Sequence, residues 1–296
     1  MASFEARQTY IEFSAKLEEA CGWLSDLGVQ YSPTRLGRYR ALWGRLAELQ
    51  RAGDIAPFFN EFSFAQWVNA AIESSHVVEI WDGLRAQSSQ ALVERLRSSL
   101  RGHEMYVLDS DDRSGRDFTF ELLVAARFGR NGHHVDLNAV ADIEVAFNGT
   151  LLQVECKRLK SPKQVQKRVK EGIKQLHRRY VRCANPRTAR GVLAISIAKL
   201  VNPDQGVLEA DSPDSMLESA SRYVARFIRS YQRYWQMGVD RRTLGAVVFL
   251  DAPGVLLPGK MLWSVSQIGV NNSVPPSSFE YQQLVQVANQ ALARRA

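Results

Sequence analysis

Residues 141–160 read ADIEVAFNGTLLQVECKRLK. The Asn148-Gly149 pair stands between two alternating apolar–polar runs. It is a strong short-range hairpin signal, because a type I′ turn needs positive φ at both central residues. With those two residues as the loop, Phe147 faces Thr150 and the register follows outward. Val145 faces Leu152, Glu144 faces Gln153, Ile143 faces Val154, and Asp142 faces Glu155. Successive side chains alternate between the faces of a strand. One face then carries Ile143, Val145, Phe147, Leu152, Val154 and Cys156 and reads as the core side. The other carries Asp142, Glu144, Gln153, Glu155 and Lys157. Directly opposed residues have Cβ atoms about 4.5–5.5 Å apart, where like charges destabilise. The Asp142–Glu155 pair therefore requires a cation. Lys157 serves in part, and a divalent metal serves better because hard cations take carboxylate oxygens.

The basic residues are concentrated just after this hairpin. The net charge is +7, yet residues 157–190 hold thirteen Lys and Arg against one acid, Glu171. The rest of the chain has 25 basic and 30 acidic residues, a net of −5. One segment is basic, not the whole protein, as expected of a surface that meets a phosphate backbone. A helix over this segment has clear start signals. Ser161 is placed to cap it, Pro162 suits the first helical position, and Gln164 completes a Ser-x-x-Gln capping box. Its apolar stripe is Val165, Val169, Ile173, Leu176 and Tyr180, which leaves Lys and Arg on the other sides.

The flanking sequence supplies the layers. Residues 5–27, 35–51, 63–84 and 88–100 have apolar residues at helical spacing. Trp23, Trp43, Trp67 and Trp81 lie among them at core positions. The polar stretch 108–117 reads as a junction. A very apolar helix follows over residues 118–128, stopped by Gly129 and Gly132, then a short strand near 134–137. Residues 191–198 and 244–250 read as buried strands and 261–270 as a further strand. Residues 213–236 read as a helix carrying Arg222, Arg226, Arg229 and Arg233, and residues 278–293 as the last helix. Helix, strand, hairpin, helix, strand is a mixed α/β layer pattern. The expected division is a helical N-terminal region over 1–107 and an α/β domain with a C-terminal extension over 108–296.

No apolar run approaches the roughly 18 residues needed to span a membrane. The N-terminus lacks the basic start and apolar core of a secretory signal. The three cysteines, Cys21, Cys156 and Cys183, are widely spaced. They fit a reducing, cytoplasmic setting better than a disulfide framework or zinc cluster. His133 and His134 point to opposite faces if extended, so they read as structural or phosphate-adjacent. Cys156 reads as a small core residue.

Asp142, followed by Glu155-Cys156-Lys157 at the start of a basic segment, resembles the PD-(D/E)XK nuclease superfamily. The order of elements over residues 118–198 is similar to its core. The resemblance implies a restriction-endonuclease-like fold: a mixed β-sheet core flanked by helices, here with an α-helical N-terminal region. It implies Mg²⁺- or Mn²⁺-dependent hydrolysis of phosphodiester bonds. Asp142 and Glu155 would be direct ligands, the Cys156 carbonyl a further one, and Lys157 would assist the nucleophile. Glu121, in the apolar stretch FTFELLVAARF, takes the place of an additional acid. Burial of a glutamate among apolar residues is costly without a partner, which independently suggests a role. Gln175 matches a glutamine found in the exonuclease-like branch. Tyr180 falls one residue beyond the tyrosine of that branch, and Ala141 stands where the family often has proline. Lys163, Lys167, Lys170, Lys174, Arg178 and Arg179 would hold the nucleic-acid backbone. DNA is the favoured partner. The alternatives are a ribonuclease of the same fold and a module that binds nucleic acid without cutting. The helical N-terminal region would serve a protein partner or a second copy of the chain, and no membrane contact is expected.

Overall fold

The computed structural model of the protein describes residues 2–3, 9–108, 115–138, 141–182, 189–234, 240–257, 261–271 and 274–293. The hairpin forms in the register the Asn-Gly turn dictates. Asn148 and Gly149 have φ of 48° and 73°. The pairs Ile143–Val154, Glu144–Gln153, Val145–Leu152, Ala146–Leu151 and Phe147–Thr150 are opposed.

Around it the described residues build one eight-stranded mixed sheet. Its strands are β1 (Ala2–Ser3), β2 (Val135–Asp136), β3 (Ile143–Phe147), β4 (Thr150–Arg158), β5 (Ala189–Ser196), β6 (Leu208–Ala210), β7 (Thr243–Leu256) and β8 (Met261–Asn271). The order is β1-β8-β7-β5-β4-β3-β2, with β6 also paired to β7. β4, β5 and β7 are parallel neighbours, and the outer pairings β2–β3, β3–β4, β7–β8 and β1–β8 are antiparallel. The C-terminal third is thus not an appendage, because β7 and β8 continue the sheet begun by the hairpin.

Helices cover both faces. In chain order they are α1 (Tyr10–Asp26), α2 (Arg35–Arg51), α3 (Phe58–Glu61), α4 (Phe64–Leu84), α5 (Gln90–Ser99), α6 (Gly115–Arg130), α7 (Val165–Tyr180), α8 (Ala198–Val201), α9 (Pro213–Tyr231) and α10 (Phe279–Gln286). The first helix starts later than its apolar pattern suggested. Thr9 caps it, with Glu12 reaching back to the Thr9 backbone, and residues 4–8 lie outside the described residues. The capping box expected at Ser161 does not form. A 3₁₀ turn over Pro162–Gln164 leads into α7, and the Ser161 side chain makes no capping hydrogen bond. Within the expected junction, residues 109–114 lie outside the described residues, as does Cys183.

The two sheet faces bury different clusters. Val154, Cys156, Val192, Val247 and Phe249 face a cluster that also contains Leu17 of α1, Leu42 of α2, Ile80 of α4 and Leu122 of α6. One apolar core therefore joins the N-terminal helices to the sheet. Leu193, Ile195, Val248 and Val265 face the other way, onto Val165 and Val169 of α7 and Met216, Val224 and Phe227 of α9. Among the described residues no helix is long and apolar enough to cross a membrane.

Buried charge ties α4 to its neighbours. Glu73 pairs with Arg35 of α2 at 3.0 Å and with Arg116 of α6. Burial alone would raise the Glu73 pKa, but the two guanidiniums more than offset it and hold the carboxyl at about 2. A lowered folded-state pKa contributes stability that is present above the unfolded value and lost as pH falls through the folded one. The stability difference between wild type and Glu73→Gln is therefore expected to shrink between about pH 4.5 and pH 2. Urea unfolding of both proteins across that window checks this. A difference that stays constant would show that the ion pairs are not what Glu73 contributes.

Candidate active site

The sheet geometry opens a cleft beside the hairpin. β3 begins at Ile143, whereas its partner β4 runs on to Arg158. Past the end of β3, helices from both faces reach the same margin, α6 from one and α7 from the other. They enclose a cleft of about 410 Å³ lined by Glu121 of α6, Asp142, Glu155, Lys157, and Gln175 and Arg179 of α7. α7 lies close to the sheet here because residue 172 is glycine. A Cβ added to Gly172 would lie 2.5 Å from Leu193 Cδ1 and 3.6 Å from Glu155 Cγ. Residues three and seven positions further on, Gln175 and Arg179, share that helix edge and line the cleft.

Five residues singled out from the sequence as catalytic come together here: Glu121, Asp142, Glu155, Lys157 and Gln175. Asp142 lies just beyond β3, so the ladder stops one pair short of it. Its Oδ2 accepts a hydrogen bond from the Cys156 N–H at 2.8 Å. Glu155 is 1% exposed at its side chain and pairs with both Lys157 and Arg179. The other end of the Arg179 guanidinium lies 3.8 Å from Asp142 Oδ1. The two carboxylates thus share one guanidinium, as the like-charge argument required of some cation. Burial, and then the Asp142 charge, raise the Glu155 pKa, while Lys157 and Arg179 partly counter them. The Cys156 thiol is pushed well up by burial and by Asp142, Glu121 and Glu155, which leaves it unsuited to act as a thiolate nucleophile.

One sequence expectation about the site needs correction. Arg179 does not belong with the outer backbone-binding face. It is buried in the cleft, whereas Lys163, Lys167, Lys170, Lys174 and Arg178 are exposed. The Gly172-Gln175-Arg179 spacing was the available signal for this edge. On the polar face of the hairpin, Gln153 and Glu155 are buried. Tyr180 is turned away, its hydroxyl 2.9 Å from Thr243 Oγ1. His133 packs its ring against Phe128 and Phe147, and His134 is exposed. Arg95 of α5 also reaches the site, which no sequence signal suggested. Its Nε lies 3.5 Å from Glu121 Oε2 and its Nη2 donates to the Asp142 carbonyl at 3.2 Å.

The donors fit a hard divalent cation in chemistry, though not as a preassembled cage. Carboxylate oxygens of Asp142 and Glu155 are drawn to one positive group, and Gln175 lines the cleft with a buried Oε1 that has no donor. Such an orphaned acceptor suits a water held by a metal. Among the described residues, however, no group of three or more His, Cys, Asp or Glu side chains is arranged to hold a metal ion. Arg95 engages Glu121, and Arg179 and Lys157 carry the neutralising charge at Glu155.

In comparisons with known proteins the chain has no significant match to a family model, a curated protein or a solved structure.

Proposed function

We propose that the protein is a Mg²⁺- or Mn²⁺-dependent nuclease of the PD-(D/E)XK type, with the restriction-endonuclease-like fold, that hydrolyses phosphodiester bonds of DNA. One observation carries this reading. The acid beside β3, the acid-x-lysine of β4, the acid of α6 and the glutamine of α7 line a single cleft. These residues come from four separated segments of the chain. Convergence of a buried carboxyl of raised pKa with a lysine and other acids in a cleft is a functional signature.

Asp142 and Glu155 would hold the ion, with the Cys156 carbonyl and Glu121 completing the set. The chemistry such an ion would supply there is a lowered pKa for a bound water and neutralisation of charge on the phosphate. Lys157, in contact with Glu155, supplies a fixed positive charge beside the developing negative charge and helps to orient the nucleophile. Gln175 Oε1 is available to accept a hydrogen bond from a coordinated water. The exposed lysines of α7 attract the backbone and fix its position without reading bases.

A second reading rests on Arg179. Because Arg179 and Lys157 already neutralise Glu155, the cleft is charge-balanced without a metal, which suits a module that binds nucleic acid and does not cut it. One assay separates the two. Plasmid, linear duplex, single-stranded DNA and RNA are incubated with Mg²⁺, with Mn²⁺ and with EDTA, beside Asp142→Ala and Lys157→Ala. The nuclease reading expects metal-dependent cleavage of DNA that both substitutions abolish, and preference for RNA would move it to a ribonuclease. Salt-sensitive binding with no cleavage of any substrate would replace it by the binding module.

A further inference from the structure

Arg222, Arg226, Arg229 and Arg233 stand outside the cleft, and all four are exposed. α9 buries Met216, Ala220, Val224 and Phe227 in the same apolar cluster as Val165 and Val169 of α7. The two helices therefore cover one face of the sheet and turn their polar sides the same way. The 3₁₀ turn that ends α9, Gln232–Tyr234, packs against α7. Charge along α9 is segregated. Asp214 and Glu218 lie in its first half, and the arginines occupy the half that approaches α7. Arg222 lies 3.9 Å from Glu218, and Arg233 donates to the Tyr234 hydroxyl at 2.8 Å. Among the described residues no acidic side chain pairs with Arg226 or Arg229, nor with Lys170 or Lys174 of α7.

We infer that α9 is a second rail for a nucleic-acid backbone, parallel in role to α7, so that one continuous basic face spans both helices. Like charges on two adjacent helices repel unless a polyanion neutralises them. From Arg222 to Arg229 the helix rises about 10 Å, which matches about three phosphates of one duplex strand at about 3.4 Å each. Arginine forks match phosphate oxygens two at a time. A membrane surface fits less well, since an interfacial helix must insert an apolar face and those of α7 and α9 are spent on the sheet. The inference takes its partner class, nucleic acid, from the reading above, but not its catalysis.

The test is binding of a fluorescein-labelled duplex to the full chain in EDTA, followed by anisotropy over a KCl series. Each phosphate that the protein ceases to neutralise takes about 0.9 from the slope of log affinity against log salt. Replacing Arg222, Arg226, Arg229 and Arg233 together by Ser is expected to flatten that slope by up to about 3.6. The pair Arg226→Gln and Arg229→Gln, a milder change at exposed positions, is expected to flatten it by up to about 1.8. Melting temperatures of both variants should match wild type. A slope unchanged in both variants overturns the inference. So does wild-type protein that sediments with phosphatidylserine vesicles but does not bind the duplex. A chain that binds through α9 and never cuts overturns only the nuclease reading. One that cuts DNA with an unaltered slope overturns only the second rail.

Discussion

Arg127→Met is expected to lower the unfolding free energy by about 3–5 kcal/mol, the cost of removing one partner from a buried ion pair. Arg127 lies on α6 with its side chain 3% exposed. Its guanidinium meets Glu79 of α4 at 2.9 Å, Asp251 of β7 at 3.1 Å and the Ser266 hydroxyl of β8 at 3.0 Å. It also stacks over the Phe249 ring. Burial on its own would lower the Arg127 pKa, but Glu79 and Asp251 raise it further than burial lowers it. Methionine replaces most of the volume and none of the charge, so the buried Glu79 and the half-buried Asp251 lose the guanidinium they share. Because these groups link α4, α6 and both C-terminal strands, the loss should appear in one cooperative urea transition. Adding Glu79→Gln to Arg127→Met is expected to recover a large part of the loss, since the uncompensated charge is what costs. A single variant within about 1 kcal/mol of wild type, the range of an exposed pair, would show that water reaches this cluster.

These ion pairs mark where sequence reasoning stops. Periodicity registers Glu73, Glu79 and Arg127 as polar positions on helices, and polar positions read as exposed. Their partners lie 38, 48 and 124 residues away, so no local pattern announces them. Glu121 stands out in the sequence because its immediate neighbours are apolar. Arg127, six residues later in the same helix, has the same kind of surroundings and is open to the same argument. The hairpin was legible because a two-residue Asn-Gly loop fixes the register outright, and with it the placement of Ile143, Val145, Val154 and Glu155. The α/β layering and the helical N-terminal region followed from the pattern of elements, whereas the mixed sheet was what the family resemblance implied. The continuation of that sheet through β7 and β8 did not, because strand order depends on long-range pairing. In the cleft, residues of the hairpin were legible and those reaching in from outside were less so. Arg95 comes from a helix of the N-terminal region. Arg179 lies on a helix edge that faces neither the apolar cluster nor solvent, a category that a two-sided view of an amphipathic helix lacks.

Arg179→Met tests what holds the cleft together. In the wild-type chain Arg179 contacts Glu155 and lies 3.8 Å from Asp142, so its removal leaves a buried carboxylate next to a second one with only Lys157 to neutralise it. The expected loss of stability at neutral pH, without metal, approaches the about 3–5 kcal/mol of a broken buried pair, lessened by the remaining Lys157. The loss should depend on pH in a definite sense. Burial and Asp142 already raise the Glu155 pKa, and taking away Arg179 raises it further. A raised folded-state pKa means that the folded chain binds the proton more tightly, so stability falls as pH rises through the range between the unfolded and folded values. The gap between variant and wild type should therefore widen as pH rises above the ordinary carboxylate range and narrow on acidification. Metal gives the second readout. On the proposed function, a divalent ion at the carboxylates would compete with the guanidinium in the wild type and not in the variant. Mg²⁺ or Mn²⁺ should therefore raise the melting temperature of Arg179→Met more than that of wild type, with EDTA reversing the gain. A pH-dependent loss with no metal response would leave the paired carboxylates standing and remove the metal from the account of this cleft. A variant as stable as wild type at pH 8 would mean that Arg179 is not the counter-ion the two carboxylates require.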